Sequence, residues 1–150
     1  MADLRPVLNQ LNIVARDFNA TVAFYRRVGL EIPEGSSSPE GVRHSEVPLA
    51  NGFVLEFDNE ALAGLYNAAW RKPGGSSRAL LGFSVPSREA VDQLYKELTA
   101  AGYEGRQPPY DTFWGARYAV VMDPDGNDVG FMSPRDERRR SWPPRPSPAP

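Results

Sequence analysis

The chain of 150 residues contains no cysteine, which excludes disulfides, zinc–thiolate centres, iron–sulfur clusters and cysteine nucleophiles. It has a single histidine, His44. Sites that need two imidazoles are therefore excluded, and Ser-His-Asp catalysis would have to run through this one residue. No apolar run approaches the about 18 residues that a membrane span requires. The opening Met-Ala-Asp-Leu-Arg-Pro lacks the charged-then-apolar layout of a signal peptide, so a cytoplasmic location is the expectation. An excess of positive charge is missing too, since the net charge is −2. Residues 133–150 hold five arginines against Asp136 and Glu137, a local balance of +3 that leaves 1–132 at −5. An acidic body argues against a nucleic-acid-binding face and suits a neutral or cationic small ligand.

Enough is present for a core: 41% of residues are apolar and 24% charged. Residues 133–150 carry six prolines in eighteen positions, which predicts an extended, flexible tail with Trp142 as its one apolar anchor. The domain proper is 1–132. Residues 11–16 read as a strand. Asp17 or Asn19 caps a helix over about 20–28, because a short polar side chain accepts the unpaired amide hydrogens there, and Gly29 stops it. The same grammar returns near residue 80. Residues 79–85 read as a strand and Ser87 as a cap. Val91, Leu94, Leu98 and Ala101 lie on one helical stripe, and Gly102 is the stop. Strand-like segments follow each helix, at about 43–49 and 52–58, then 117–122 and 127–132. Asp123-Pro124-Asp125-Gly126-Asn127 is a strong turn signal between the last two. The fold expected is α+β: two βαβββ modules, at about 4–70 and 78–132, each a cupped mixed sheet. Segment 34–42 reads as a polar loop able to close over a ligand, 105–115 as a second loop, and 71–78 as the linker.

With Asp17…Phe24-Tyr25-Arg26-Arg27-Val28-Gly29-Leu30, the Tyr118–Asn127 stretch ending in Asp-Pro-Asp-Gly-Asn, and the duplication, the chain resembles the vicinal oxygen chelate superfamily. That superfamily includes glyoxalases, extradiol dioxygenases and bleomycin-binding proteins. The resemblance covers 7–132. It implies a homodimer, with modules paired within one chain or swapped between two. It also implies four metal positions, which fall on Gln10, Glu56, Leu80 and Gly130. Leucine and glycine cannot ligate a metal, so the resemblance implies a lost metal site, no cofactor and no catalytic residue. The segments Ala101–Gly105 and Trp114–Val121, with Leu30–Pro33, His44-Ser45-Glu46 and Trp70, are similar to the mitomycin-binding self-resistance proteins.

If Glu56 faces the cup, strand alternation places Val54 and Asp58 there too. Gln10 and Asn12 share it, as do Leu80, Gly82, Ser84, Asp128, Gly130 and Met132. Leu80 and Gly130 in place of ligands make a roomier, more apolar cup suited to a flat organic molecule. Trp114, in a Pro/Gly-bounded loop, is the expected stacking wall, with Tyr110 and Phe113 as neighbours. Arg117 can bond ligand carbonyls or pair with Glu46 or Asp111. Tyr118 can reach a ligand with its phenol. His44 is the one group titrating near neutrality and can donate to a quinone-like ligand. Trp70 follows a short helix at about 60–69 and faces a ligand or a subunit interface. The function expected is non-catalytic sequestration of an aromatic, DNA-targeting antibiotic. The alternatives are a metal-dependent glyoxalase-type or antibiotic-modifying enzyme, and a metal-free modifier using His44 as acid.

Overall fold

A computed structural model describes residues 8, 10–67, 70–74 and 79–141. The chain divides into two compact units, 1–74 and 75–150. In the first, the order is β1 (Gln10–Ala15), α1 (Phe18–Val28), β2 (Ser36–Ser37), β3 (Arg43–Pro48), β4 (Val54–Asn59) and α2 (Glu60–Tyr66). The sheet runs β1-β4-β3-β2, with β1 parallel to β4 and the other pairs antiparallel. Helix α1 begins where Asp17 accepts from the Ala20 amide at 3.1 Å, and ends at Gly29, whose φ of +113° is open to glycine at little cost. The helix lays Phe24 and Tyr25 on the sheet, both fully buried. Tyr25 meets Phe57 of β4 with ring centroids 5.2 Å apart. Ile13, Val47, Leu55 and Phe57 are buried on that same side. Their alternate neighbours Asn12, Glu46, Glu56 and His44 turn to the other face, as the pleat requires.

The second unit repeats the plan with β5 (Leu80–Ser84), α3 (Arg88–Ala100), β6 (Gly105–Asp111), β7 (Arg117–Met122) and β8 (Asp128–Met132). Its sheet is β5-β8-β7-β6, with β5 parallel to β8. Ser87 caps α3 by accepting from the Ala90 amide at 3.1 Å. Val91 and Leu98 of α3 are buried, as are Ala119, Val121, Val129 and Phe131 of the sheet. The turn between β7 and β8 is held by the buried Asp123. Its carboxylate accepts from the Asp125 and Asn127 amides, both at 2.8 Å, and from the Asn127 side chain at 2.9 Å.

Two expectations change. Residues 105–111 form a strand, not a loop. Pro108 and Pro109 cannot donate to a ladder and are tolerated because β6 is an edge strand with two register shifts against β7. Residues 133–141, counted with the tail on composition, hydrogen-bond back onto the second unit. The Ser133 amide donates to Arg117 O, Asp136 to Gly115 O, and Ser141 to Phe113 O. Trp142, the rest of 142–150 and linker positions 75–78 lie outside the described residues.

Candidate functional site

The face of the second sheet turned away from α3 is aromatic. Register places Leu80, Gly82 and Ser84 of β5 beside Asp128, Gly130 and Met132 of β8, and these beside Met122, Val120 and Tyr118 of β7. Tyr110 of β6 pairs with Tyr118. The Tyr110 and Tyr118 rings meet edge-on at 6.3 Å, Trp114 and Tyr118 at 5.8 Å, and Phe113 and Trp114 at 4.8 Å. The Trp114 indole N–H points at the Met132 sulfur, 3.2 Å away. A T-shaped chain of this kind sets positive ring edges against negative faces and holds each ring in place. It remains open to solvent: Tyr110 is 37% exposed, Phe113 50% and Leu80 48%.

Gly130 does not make the cup roomier. A Cβ there would collide with the Tyr118 hydroxyl, so the space of a lost side chain is filled by the phenol. The open floor is one strand away at Gly82, which pairs with Gly130 and where an added Cβ would meet only Leu80 Cδ2 at 4.0 Å. Burial, the nearby Tyr110 and the Asp128 carboxylate together hold the Tyr118 phenol above the ordinary tyrosine range, so it stays protonated as a donor.

Arg117 is not part of this wall. It precedes Tyr118 on β7 and so faces the other side, where its guanidinium donates to Asp92 of α3 at 2.8 Å and to Asp111 at 3.2 Å. Of the partners read from sequence, Asp111 is found and Asp92 is the one missed. The anionic pair raises the Arg117 pKa further.

The first unit's corresponding face is polar. Asn12 Nδ2 donates to Glu56 Oε2 at 2.6 Å and to Asp58 Oδ2 at 2.8 Å. His44 Nδ1 lies 2.6 Å from Asp58 Oδ1. The Tyr66 hydroxyl donates to Asp58 at 3.3 Å from α2, and burial beside that carboxylate raises its pKa. Asp58 is 1% exposed and depends on these partners, because a buried carboxylate without donors costs several kcal/mol, of order 2 to 5. His44, Glu56 and Asp58 thus come together, and Asn12 and Tyr66 join them. Trp70 is half-buried beyond α2, its amide donating to Asn67 O at 2.9 Å. A separate concavity of about 500 Å³ in this unit is lined by Leu30, Ile32, Pro33 and Pro48 with Arg26 and Glu46; it holds none of the predicted ligand residues.

The profile of the Glyoxalase/Bleomycin resistance protein/Dioxygenase superfamily matches residues 7–131. The chain belongs to this superfamily. Among solved structures, it is 29% identical to a glyoxalase/bleomycin resistance protein/dioxygenase family enzyme from Burkholderia phytofirmans PsJN, with a TM-score of 0.70 over 84% of this chain and 97% of that one. A glyoxalase/bleomycin resistance protein/dioxygenase from Nocardioides is 25% identical, with a TM-score of 0.66 over 90% and 87%. TioX from Micromonospora sp. ML1, at 21% identity and a TM-score of 0.60 over 85% and 98%, shares the fold. No curated protein matches the sequence. Of the four metal positions that the resemblance implies, two carry no donor. Leu80 and Gly130 offer no ligand atom, and Glu56 is bonded to Asn12, which in turn accepts from Gln10 Nε2 at 3.0 Å. Among the described residues, the donors that converge are those of His44, Glu56 and Asp58, which lie within 4.8 Å of one another, all in the first unit.

Proposed function

We propose that this superfamily member binds and sequesters a flat aromatic antibiotic or natural product, without metal and without chemistry. The observation that carries the reading is the solvent-open aromatic wall of Tyr110, Trp114, Tyr118 and Phe113 beside the bare Gly82 floor. A planar ligand gains there what a nucleobase gains on an aromatic platform, about 1–3 kcal/mol per stacked ring. The Tyr118 hydroxyl, kept protonated, donates to a carbonyl on the ligand. Leu80 supplies an apolar margin. Binding alone protects a DNA target by lowering the free drug concentration. A homodimer suits this reading, as the resemblance to drug-binding members implies.

The test is a tryptophan fluorescence titration of metal-stripped protein with mitomycin, bleomycin and an intercalating bicyclic-chromophore peptide. Trp114→Ala runs beside wild type. The expected result is saturable quenching by one of them, weakened roughly 5- to 150-fold in the variant, which is what about 1–3 kcal/mol amounts to. The drug should be recovered intact. Equal affinity in both proteins removes the wall from the site.

A second reading, a metal-dependent isomerase or transferase, has one observation in its favour: the three converging donors of the first unit. Against it, the Asp58 carboxylate already accepts from Asn12 and Tyr66 and lies against His44 Nδ1, so an ion would have to displace those contacts. Calorimetric titration with Zn²⁺, Mn²⁺ and Ni²⁺ decides it. Micromolar binding lost in His44→Gln would establish this reading over the first.

A further inference from the structure

We infer that residues 134–141 are a positioning strap for the aromatic loop, so that the start of the arginine- and proline-rich segment is part of the binding machinery. Phe113 and Trp114 sit in a tight loop closed by Thr112. Its amide donates to Ala116 O at 2.8 Å, and its hydroxyl accepts from the Ala116 amide at 3.0 Å. The outward backbone of that loop is taken up by the strap. Carbonyls on both sides of Trp114 accept from it: Gly115 from Asp136 at 2.9 Å and Phe113 from Ser141 at 2.8 Å. The strap departs from the end of β8, where the Ser133 amide donates to Arg117 O at 3.0 Å. The Arg117 amide returns a bond to Ser133 Oγ at 2.8 Å. The two bonds fix the backbone on either side of Trp114, at Phe113 and at Gly115, and so restrict where its side chain points. Trp114 is the intervening residue between Phe113 and Gly115, and it is directed at Met132 and Tyr118.

Two further features fit a strap rather than a passing tail. Gly115 has a φ of +90°, and any Cβ there would collide with the Asp136 carbonyl, so the approach demands glycine at that position. The strap also has its own internal fixture, a 3-10 turn at Glu137–Arg139. Asp136 caps it by accepting from the Arg138 amide at 3.0 Å and from the Arg138 guanidinium at 3.1 Å. The three consecutive arginines are thereby divided: Arg138 and Arg139 lie against Asp136, and Arg140 pairs with Glu137 at 3.1 Å. The consequence for ligand binding rests on the reading of the wall given above; the consequence for loop order does not.

The experiment compares full-length protein with chains ending at Ser141 and at Ser133, and with full-length Gly115→Ala. Both truncations remove Trp142, so their tryptophan signals are directly comparable. Amide exchange at Phe113–Arg117 is read with global thermal unfolding and with mitomycin affinity. The chain ending at Ser141 is expected to match full length in all three. The chain ending at Ser133 and Gly115→Ala are expected to exchange at 113–117 at least tenfold faster and to bind the drug at least tenfold more weakly. Their unfolding midpoints should move by only a few degrees, about the shift that a change confined to one loop gives. Unchanged exchange at 113–117 in both altered proteins overturns the strap. Faster exchange in them with no drug bound by any protein, full length included, leaves the strap standing and removes the sequestration reading instead. If the Ser133 chain does not fold, Gly115→Ala decides alone.

Discussion

At the scale of single residues, the site is a matter of which side chains are absent. Gly82 is bare floor, whereas Gly130, equally bare in sequence, is covered by the Tyr118 phenol. The two positions therefore predict different outcomes. In Gly82→Val the new Cβ meets only Leu80 Cδ2, at 4.0 Å. Valine suits a strand better than glycine does, by up to about 1 kcal/mol. The protein is expected to keep or slightly raise its thermal midpoint while drug affinity falls at least tenfold; an unaffected affinity would take the ligand off this floor. Gly130→Ala instead pushes on the Tyr118 hydroxyl and disturbs the wall together with the fold. Tyr118 also carries a pH prediction. Its folded pKa is raised, so the stability linked to its neutral form is fully present below the ordinary tyrosine value and is lost as pH rises through the folded value. An ultraviolet titration should show late-ionising phenols, one of them missing in Tyr118→Phe. Another belongs to Tyr66, raised by burial and Asp58. If every tyrosine titrates together in both proteins, neither phenol is held as described.

At the scale of elements, legibility followed the locality of the signal. The α1 start at Asp17, its stop at Gly29, the Ser87 cap and the Asp123–Asn127 turn all rest on bonds within four residues, and the sequence alone suffices to place them. Strand alternation likewise places Glu56 and Asp58 on one face. What stayed hidden depends on partners distant in the chain. Strand β6 carries two prolines and is a strand only because β7 lies beside it. His44 needs the register of β3 on β4 to meet Asp58, and Tyr66 needs α2 to turn back over that strand. Arg117 and Tyr118 are adjacent, and the pleat sends them to opposite faces, a separation that alternation could have given once Tyr118 was put in the cup. Two stability expectations belong here. Asp123→Ala removes the acceptor for three donors of the β7–β8 turn and should cost about 2–4 kcal/mol in chemical denaturation. Phe57→Ala leaves a cavity under the fully buried Tyr25 and should cost about 3–5 kcal/mol. A loss below about 1 kcal/mol in either would mean that the site can collapse or rehydrate in a way the packing gives no sign of.

At the scale of the whole molecule, one topology occurs twice with opposite surface chemistry. The face of the first sheet is a hydrogen-bonded set of Asn12, His44, Glu56 and Asp58; that of the second is Tyr110, Trp114, Tyr118 and Met132. Of the four metal positions that the resemblance implies, the two in the second unit are Leu80 and Gly130, which offer no ligand atom. The two functional readings then separate thermodynamically. A ligand bound only by the folded state stabilises it by RT ln(1 + [L]/Kd), about 2.7 kcal/mol at a hundredfold excess over Kd. Under sequestration, a bound drug raises the unfolding midpoint of chelator-treated protein, and adding Zn²⁺ or Mn²⁺ changes neither that rise nor the drug. Under the metal-dependent reading, the rise appears only once the ion is restored, it is lost with His44→Gln, and the drug is recovered altered. Thermal unfolding with and without chelator, followed by chromatography of the recovered drug, distinguishes them in one set of samples. Stabilisation that requires the ion would show that the three donors of the first unit, and not the rings of the second, define the site.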